Sequence, residues 1–322
     1  MESGGKPVSD KPAEAADTVD VSGAAGAGAV ADFRCGSIAL FGRPNVGKST
    51  LLNALVGQKL SITSRKPQTT RHRIRGILTR PDAQYIFVDT PGFQIKYKSV
   101  LNSQMNRGVR GALDDVDVAA LVVEAGRFGP DDEALLKLVP EGMPLLLVVN
   151  KTDKVAPDEL MAYLKSTAAQ CNAREYVPVS AQRRKGLERL LSVMHKYLPE
   201  QPAVYGEDEL TDRDERFLAA ELLREKLFRS LGEELPYGTS VFIEKFEAMP
   251  KLRRIHAAVI VDRPGHKAIL IGAGGLQMKR MATAARLDME KLFGSKVHLE
   301  VWVKVRSGWT EDEAQLRRLG YD

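Results

Sequence analysis

The sequence predicts two consecutive domains: an α/β domain with a mostly parallel sheet and a phosphate-binding loop, then a smaller α+β domain. Three observations carry this. Five short apolar runs alternate with amphipathic stretches between residues 33 and 200. A glycine-rich, lysine-bearing loop directly follows the first run, and the pattern changes after a Pro-containing acidic stretch near residue 200. Near-continuous apolar runs separated by helical patterns mark strands buried on both faces of a parallel sheet.

Residues 1–31 are rich in Ala, Gly and Pro, with two Lys against five acids. Such a segment buries too little apolar surface to offset its ordering entropy, and is expected as a disordered tail. Its acids, and the lack of an apolar core segment, argue against a signal or transit peptide. The first domain is expected over 32–200, with a linker at 201–210 and the second domain over 211–322. The expected strands of the first domain are SIALFG (37–42), QYIFVD (84–89), VAALVVE (118–124), PLLLVVN (144–150) and EYVPVS (175–180). In the second, Thr211 reads as a helix N-cap, apolar positions 217, 220, 223, 227 and 231 keep helical spacing, and Gly232 supplies the stop. Strands are expected over 239–247 and 253–262, followed by a Pro264-Gly265 turn. The short apolar AILIG (268–272) then leads into GAGG, a helix over 275–293 and a clean alternation over 296–305.

At 322 residues and 43% apolar content, the chain can build two cores. No apolar run approaches the roughly 18–20 residues of a membrane span. Cys35 and Cys171 lie far apart, suggesting neither a disulfide framework nor a zinc site, and a reducing, cytoplasmic setting fits. The net charge is +5, unevenly spread: residues 251–306 hold twelve Lys/Arg against four acids, and residues 207–247 hold twelve acids against six bases. The basic block suggests a surface for a polyanion, and ordinary solvated helix faces would give the same composition.

The residues with chemical promise fall at expected strand ends, where parallel sheets bind ligands. GRPNVGKS, Gly42 to Ser49, fits the phosphate-loop pattern G-x-x-x-x-G-K-[ST]. Backbone N–H groups of Asn45, Val46 and Gly47 and the following helix N-terminus would hold phosphate oxygens, with Ser49 and Thr50 opening that helix. Lys48 would reach the β- and γ-phosphates, and the Ser49 hydroxyl would ligate Mg²⁺. Asp89 could hold the same ion, with Thr90, Pro91, Gly92 and Phe93 completing the turn and the Gly92 N–H sensing a γ-phosphate. Asn150, Lys151, Thr152 and Asp153 suit guanine. The Asp153 carboxylate can accept from guanine N1–H and its amine, whereas adenine would leave it unpaired. Ser180-Ala181 could supply a backbone donor for the guanine oxygen. The polar, basic SRKPQTTRHRIR (64–75) reads as a mobile switch segment or an exposed loop before a strand. Thr70 is the chosen Mg²⁺ ligand there and Thr69 the alternative. These elements together describe a GTP site.

GRPNVGKST, PQTTR, DTPGF and NKTD resemble the bacterial TrmE-Era-EngA-like branch of translation-factor-class GTPases. HAAVIVDRPGHKAILIGAGGLQMKRMATAARLDMEKLF, followed by VHLEVWVKVRSGWTEDEAQLRRLGYD, is similar to the C-terminal part of the Era family, and the resemblance covers about 33–322. It implies a P-loop GTPase domain followed by a type II KH domain. It further implies binding of the 3′ region of small-subunit (16S) ribosomal RNA and assistance to 30S maturation. The residues agree: a GxxG loop, here Gly272-Ala273-Gly274-Gly275, clamps a nucleotide backbone when it opens a basic helix. The family's loop often carries a Lys or Asn between its glycines. Without one, RNA contact is expected to lean on Lys267, Lys279 and Arg280.

Phe93 stands where Ras-like switches place a water-orienting Gln. Relatives also carry a hydrophobic residue there, so intrinsic hydrolysis is expected to be slow. Asn45 is a candidate potassium ligand by that resemblance, and is equally a loop-shaping residue. The catalytic set is therefore Lys48, Thr70, Gly92 and Asn45, with GTP/GDP, Mg²⁺ and K⁺ as cofactors. The expected state is a cytoplasmic monomer; peripheral contact with the inner face of the membrane stays open. The rival reading is a GTP-dependent RNA-binding checkpoint or scaffold in which hydrolysis is incidental.

Overall fold

The computed structural model describes residues 33–64, 66, 69–93, 100–232, 237–312 and 314. The tail at 1–31 lies outside them. The described residues form one compact unit, within which two sheets carry separate apolar cores.

The first sheet comprises β1 (Arg34–Phe41), β2 (Ile74–Thr79), β3 (Ala83–Asp89), β4 (Val118–Glu124), β5 (Leu145–Asn150) and β6 (Glu175–Pro178). Their order is β2-β3-β1-β4-β5-β6. All neighbours are parallel except β2, which pairs antiparallel with β3. Helices α1 (Lys48–Val56), α2 (Val100–Asp114), α3 (Pro130–Leu136) and α4 (Pro157–Ala168) lie between the strands, and α5 (Leu187–His195) follows β6. One apolar cluster joins α1 and α5 to one face of the sheet, and a second joins residues of α2, α3 and α4 to the other. Burial on both faces explains the unbroken apolar runs of β3 and β4.

The strand β2 is absent from the sequence expectation, which ended the polar 64–75 segment before an unassigned strand. Its sequence, IRGILT, is short and half-polar because it lies at the sheet edge. The segment that follows α5 lines that edge: the Leu210 carbonyl accepts from the Ile77 N–H, and Thr211 bridges Gly76.

Helix α6 (Glu215–Ser230) therefore starts later than Thr211. Asp214 is its N-cap, with its side chain accepting from the Phe217 N–H at 2.8 Å. Thr211 instead donates to the Arg75 carbonyl. The second sheet, β7 (Thr239–Met249), β8 (Leu252–Val261) and β9 (Lys296–Val305), has the order β7-β8-β9, with β8 and β9 parallel. Helices α6 and α8 (Leu276–Phe293) cover one face through Leu223, Leu227, Met281, Ala285 and Met289.

The sequence left AILIG (268–272) without an assigned state. It completes α7 (Pro264–Ile271), with Pro264 in the first turn. Five apolar residues cannot separate strand from helix by periodicity, and the proline opens a helix where the sequence suggested only a turn. The GxxG loop thus joins two helices. No helix of the described residues is long and apolar enough to cross a membrane.

Candidate active site and nucleic-acid interface

The carboxyl ends of β1, β3, β5 and β6 gather the predicted residues. At the end of β1, the loop from Gly42 to Gly47 turns sharply into α1. Gly47 has φ 102°, and a Cβ there would come within 2.3 Å of Asn150 Nδ2. Asn45 also adopts a positive φ, 64°, the region asparagine tolerates best among residues with side chains. Lys48 folds back along the loop, donating to the Gly42 and Arg43 carbonyls at 3.0 Å each. Burial pushes its ammonium down to about 8, while the nearby Asp89 charge pulls the other way.

Asp89 is fully buried. Its Oδ2 accepts from Ser61 at 2.8 Å and lies 3.5 Å from Thr70 Oγ1. Thr70 Oγ1 is 2.7 Å from Ser49 Oγ. Asp89 Oδ1 is buried without a hydrogen-bond partner among the described residues. Burial raises the Asp89 pKa, opposed by Lys48 and by hydrogen bonds from Ser49, Ser61 and Thr70. Two hydroxyls beside a carboxylate with an orphaned oxygen form a hard-oxygen set that fits Mg²⁺. Thr69 instead turns its hydroxyl to the Lys66 carbonyl. Thr70 and Arg71 are buried, so this part of the segment is not the exposed loop the sequence suggested.

Beyond Asp89, the Thr90 hydroxyl donates to the Leu40 carbonyl and Pro91 and Gly92 are buried. A Cβ on Gly92 would sit 2.9 Å from Pro44 Cα, N and Cγ, so this turn and the phosphate loop pack backbone to backbone. Phe93 packs against the apolar cluster that contains Phe41, Val109 and Leu121.

Asn150, at the end of β5, ties two loops together. Its Nδ2 donates to the Val46 carbonyl at 2.9 Å, and its Oδ1 accepts from the Ala181 N–H at 3.0 Å. The expected backbone donor for a guanine oxygen is therefore already engaged at Ala181, and the Ser180 N–H bonds the Lys185 carbonyl. Asp153 is exposed and accepts from Ser180 Oγ at 2.5 Å, which holds its carboxyl below the usual range. Lys151 pairs with Glu124 at 3.0 Å, and the Thr152 N–H donates to the Val179 carbonyl. Thr50 is half-buried in the first turn of α1.

Sequence reasoning missed Ser61, Asn53 and the Arg43–Asp132 pair. Asn53 receives the Leu60 and Ser61 N–H groups at 2.9 Å, and so fixes the serine that donates to Asp89. Arg43 binds the buried Asp132 at 2.7 Å and steadies the phosphate loop. None is a specified position of a spaced motif: Ser61 and Arg43 act through partners 28 and 89 residues away, and Asn53 through the loop that follows its own helix.

In the second half of the unit, Gly272 closes α7, and Ala273–Gly275 make a tight turn before α8 in which Gly274 and Gly275 take positive φ values of 56° and 76°. Ala273 and Gly274 are exposed, as are Lys267, Lys279 and Arg280, and those three cations make no ion pair among the described residues. Ile269 and Leu276 flank the loop at 54% and 70% exposure. Unpaired cations beside exposed apolar groups suit phosphates and unstacked bases.

Comparison with known proteins agrees with this geometry. The family described as "50S ribosome-binding GTPase" matches residues 37–151, and the KH domain family matches 234–310. GTPase Era of Nitrosomonas eutropha is 55% identical over 90% of this chain and 98% of its own length. GTPase Era of Bordetella petrii is 53% identical with the same coverage.

The chain belongs to the Era GTPase family.

As an Era-family protein it is a GTP hydrolase with an N-terminal P-loop domain and a C-terminal KH domain. A crystal structure of Era in complex with MgGDPNP and nucleotides 1506–1542 of 16S ribosomal RNA superposes with a TM-score of 0.87. It is 36% identical over 90% of this chain and 99% of that one. A single-substitution variant of Aquifex aeolicus Era bound to GDP·AlF₄⁻ matches with the same identity, coverage and TM-score.

Proposed function

We propose that this Era-family GTPase binds the 3′ region of small-subunit ribosomal RNA through its KH domain and assists 30S maturation, switching with its GTP/GDP state. The observation that carries the switch is the meeting of Ser49, Thr70 and the orphaned Asp89 oxygen. These residues would hold Mg²⁺, which when bound neutralises phosphate charge. Lys48 and the loop N–H groups from Asn45 to Ser49 hold the phosphates, and Thr50 follows them in α1. Gly92, in a turn fixed by Thr90 and Pro91, offers its N–H to a γ-phosphate. Asp153, set by Ser180 Oγ, reads guanine, while Asn150 joins the Val46 and Ala181 loops. Lys151 lies along the base and Thr152 starts the turn carrying Asp153.

Phe93 provides no polar group for water, so hydrolysis draws on Thr70, Gly92 and a cation at Asn45. Support for K⁺ is the exposed Asn45 in the phosphate loop, although its positive φ already favours asparagine. RNA is gripped by Gly272, Ala273, Gly274 and Gly275 with Lys267, Lys279 and Arg280. The domains divide near 200, with 201–210 linking them, and the protein acts as a cytoplasmic monomer. Its basic KH surface also leaves room for peripheral contact with the inner membrane face.

The test is binding and turnover together. An oligonucleotide of the 16S 3′ end should bind more tightly than a scrambled one, and 30S particles should stimulate hydrolysis in K⁺ buffer. Charge reversal at Lys279 and Arg280 should weaken that binding. Equal rates in K⁺ and Na⁺ reject the cation role. Absence of stimulation under either cation favours the scaffold.

A further inference from the structure

The segment carrying Thr70 is gripped by the domain that follows it. Thr63 gives its N–H to Glu225 Oε1 at 3.0 Å, and its carbonyl accepts from Arg229 Nε at 3.0 Å. Lys66 donates to the Leu231 and Gly232 carbonyls at the end of α6. On the two sides of Thr70, the grip passes through two arginines. Arg224 Nη2 of α6 donates to the Thr69 carbonyl at 2.5 Å. Arg71 reaches the opposite way, donating to the Thr239 and Tyr237 carbonyls at 2.9 and 3.1 Å. Both guanidiniums lie over the Phe228 ring, at 5.1 and 5.2 Å from its centroid.

Arg224 is 1% exposed, and Glu221 beside it is 4% exposed. Nε and Nη2 of Arg224 each donate to the Glu221 carboxylate at 2.7 Å. Burial alone would raise the Glu221 pKa, but Arg224, with His72 and Arg71 adding to it, holds it below the usual range. A buried ion pair contributes little to stability against apolar residues of the same volume. What it adds here is a rigid fork with donors for Glu221 and for one switch carbonyl, a task a single ammonium cannot match in geometry.

We propose that Arg224 is a positioning residue for GTP hydrolysis: by fixing the Thr69 carbonyl it sets the Thr70 hydroxyl beside Ser49 and Asp89. This rests on the reading of Thr70 as a Mg²⁺ ligand.

The test uses the full chain with Thr70→Ala, Arg224→Gln, Arg224→Lys and the double variant Thr70→Ala/Arg224→Gln. Readouts are thermal melting, GDP affinity, single-turnover hydrolysis at saturating GTP, and the Mg²⁺ concentration giving half-maximal rate. Arg224→Gln should keep GDP affinity within about twofold, lose about tenfold in hydrolysis and need more Mg²⁺, since one charge-assisted hydrogen bond orders the ligand. Arg224→Lys should fall between it and wild type, and carries the test if the Gln variant does not fold. The double variant should be no slower than Thr70→Ala, because both changes remove one interaction. Wild-type hydrolysis and Mg²⁺ dependence in both Arg224 variants, with Thr70→Ala impaired, would overturn the proposal. So would parallel losses of GDP affinity and rate. A silent Thr70→Ala would instead reject the Mg²⁺ assignment on which it rests.

Discussion

Replacing Asn150 separates the two bonds that join the phosphate loop to the loop after β6. Asn150 is 2% exposed, with Nδ2 on the Val46 carbonyl and Oδ1 on the Ala181 N–H. Asn150→Ala leaves both backbone groups without a partner, and each orphaned buried group costs about 1–3 kcal/mol. Partial hydration through the gap left by the amide brings the expected loss of stability to about 2–4 kcal/mol. In the nucleotide-free protein the loops can relax to recover water, but the bound geometry must be restored. Half or more of the cost therefore reappears in affinity, about 10–100-fold in the Kd for GDP. Asn150→Asp is the sharper variant. It keeps the acceptor for Ala181 but sets a second oxygen against the Val46 carbonyl, where only a protonated carboxyl can donate. Its folded-state pKa is thus raised, so the bond is present at low pH and lost as pH rises through that value. Urea unfolding between pH 5 and 8 should show the deficit of Asn150→Asp growing with pH and that of Asn150→Ala staying flat. A pH-independent Asp deficit, or wild-type stability of Asn150→Asp at pH 8, would refute the assignment of the donor to Val46.

Lys48 gives a second pH signature. Its ammonium, depressed from 10.5 to about 8 by burial, costs the nucleotide-free fold about 3 kcal/mol below pH 8. That penalty fades as pH rises from 8 toward 10.5, so stability relative to Lys48→Met should rise over this window. Bound phosphates restore the charge, so GDP binding should take up a proton near pH 8.5, and calorimetry in buffers of different ionisation heat reads it directly. Gly92→Ala places a methyl 2.9 Å from three Pro44 atoms, two of them backbone. It should cost about 1–3 kcal/mol by overpacking and slow hydrolysis more than it weakens GDP, measured by unfolding and single-turnover rates. Lys279→Ala with Arg280→Ala should lower the salt slope of RNA binding by about 1.4, measured by titration across salt concentrations.

The residues of the candidate phosphate site were legible because the chemistry proposed for them demands fixed spacing. A strand, a glycine loop, Lys48 and Ser49 must be contiguous, and NKTD must follow a strand end. Burial on two faces likewise made β3, β4 and β5 plain. The errors came where long-range contacts decide. β2 survives as a strand because β3 offers an edge, not because IRGILT insists on it. The 268–271 run, which the sequence left unassigned, is helical because Pro264 starts a helix and Leu270 finds a core from that geometry. Thr211 lost its capping role to a carbonyl of the other domain. Ser61 and Arg224 had no local signal, since their partners lie 28 and 155 residues away.

Phe93 shows why those distant contacts matter for chemistry. Its ring belongs to an apolar cluster between the sheet and its covering helices, so the residue after Gly92 stabilises the fold there and offers nothing to water. A site without a side chain to orient water depends more on backbone groups and hydroxyls that a switch must bring into place. Of these, Thr70 is held from both flanks by groups in or on the KH domain. Any change in how α6 meets Thr63, Lys66 and Thr69 then alters the order of Thr70 before it alters the phosphate loop, whose own anchors are Asn150, Arg43 and Lys48. Under the proposed function, nucleotide affinity and hydrolysis then rest on different sets of contacts. A KH domain that shifts as it takes up RNA would change turnover while leaving GDP binding nearly as it was.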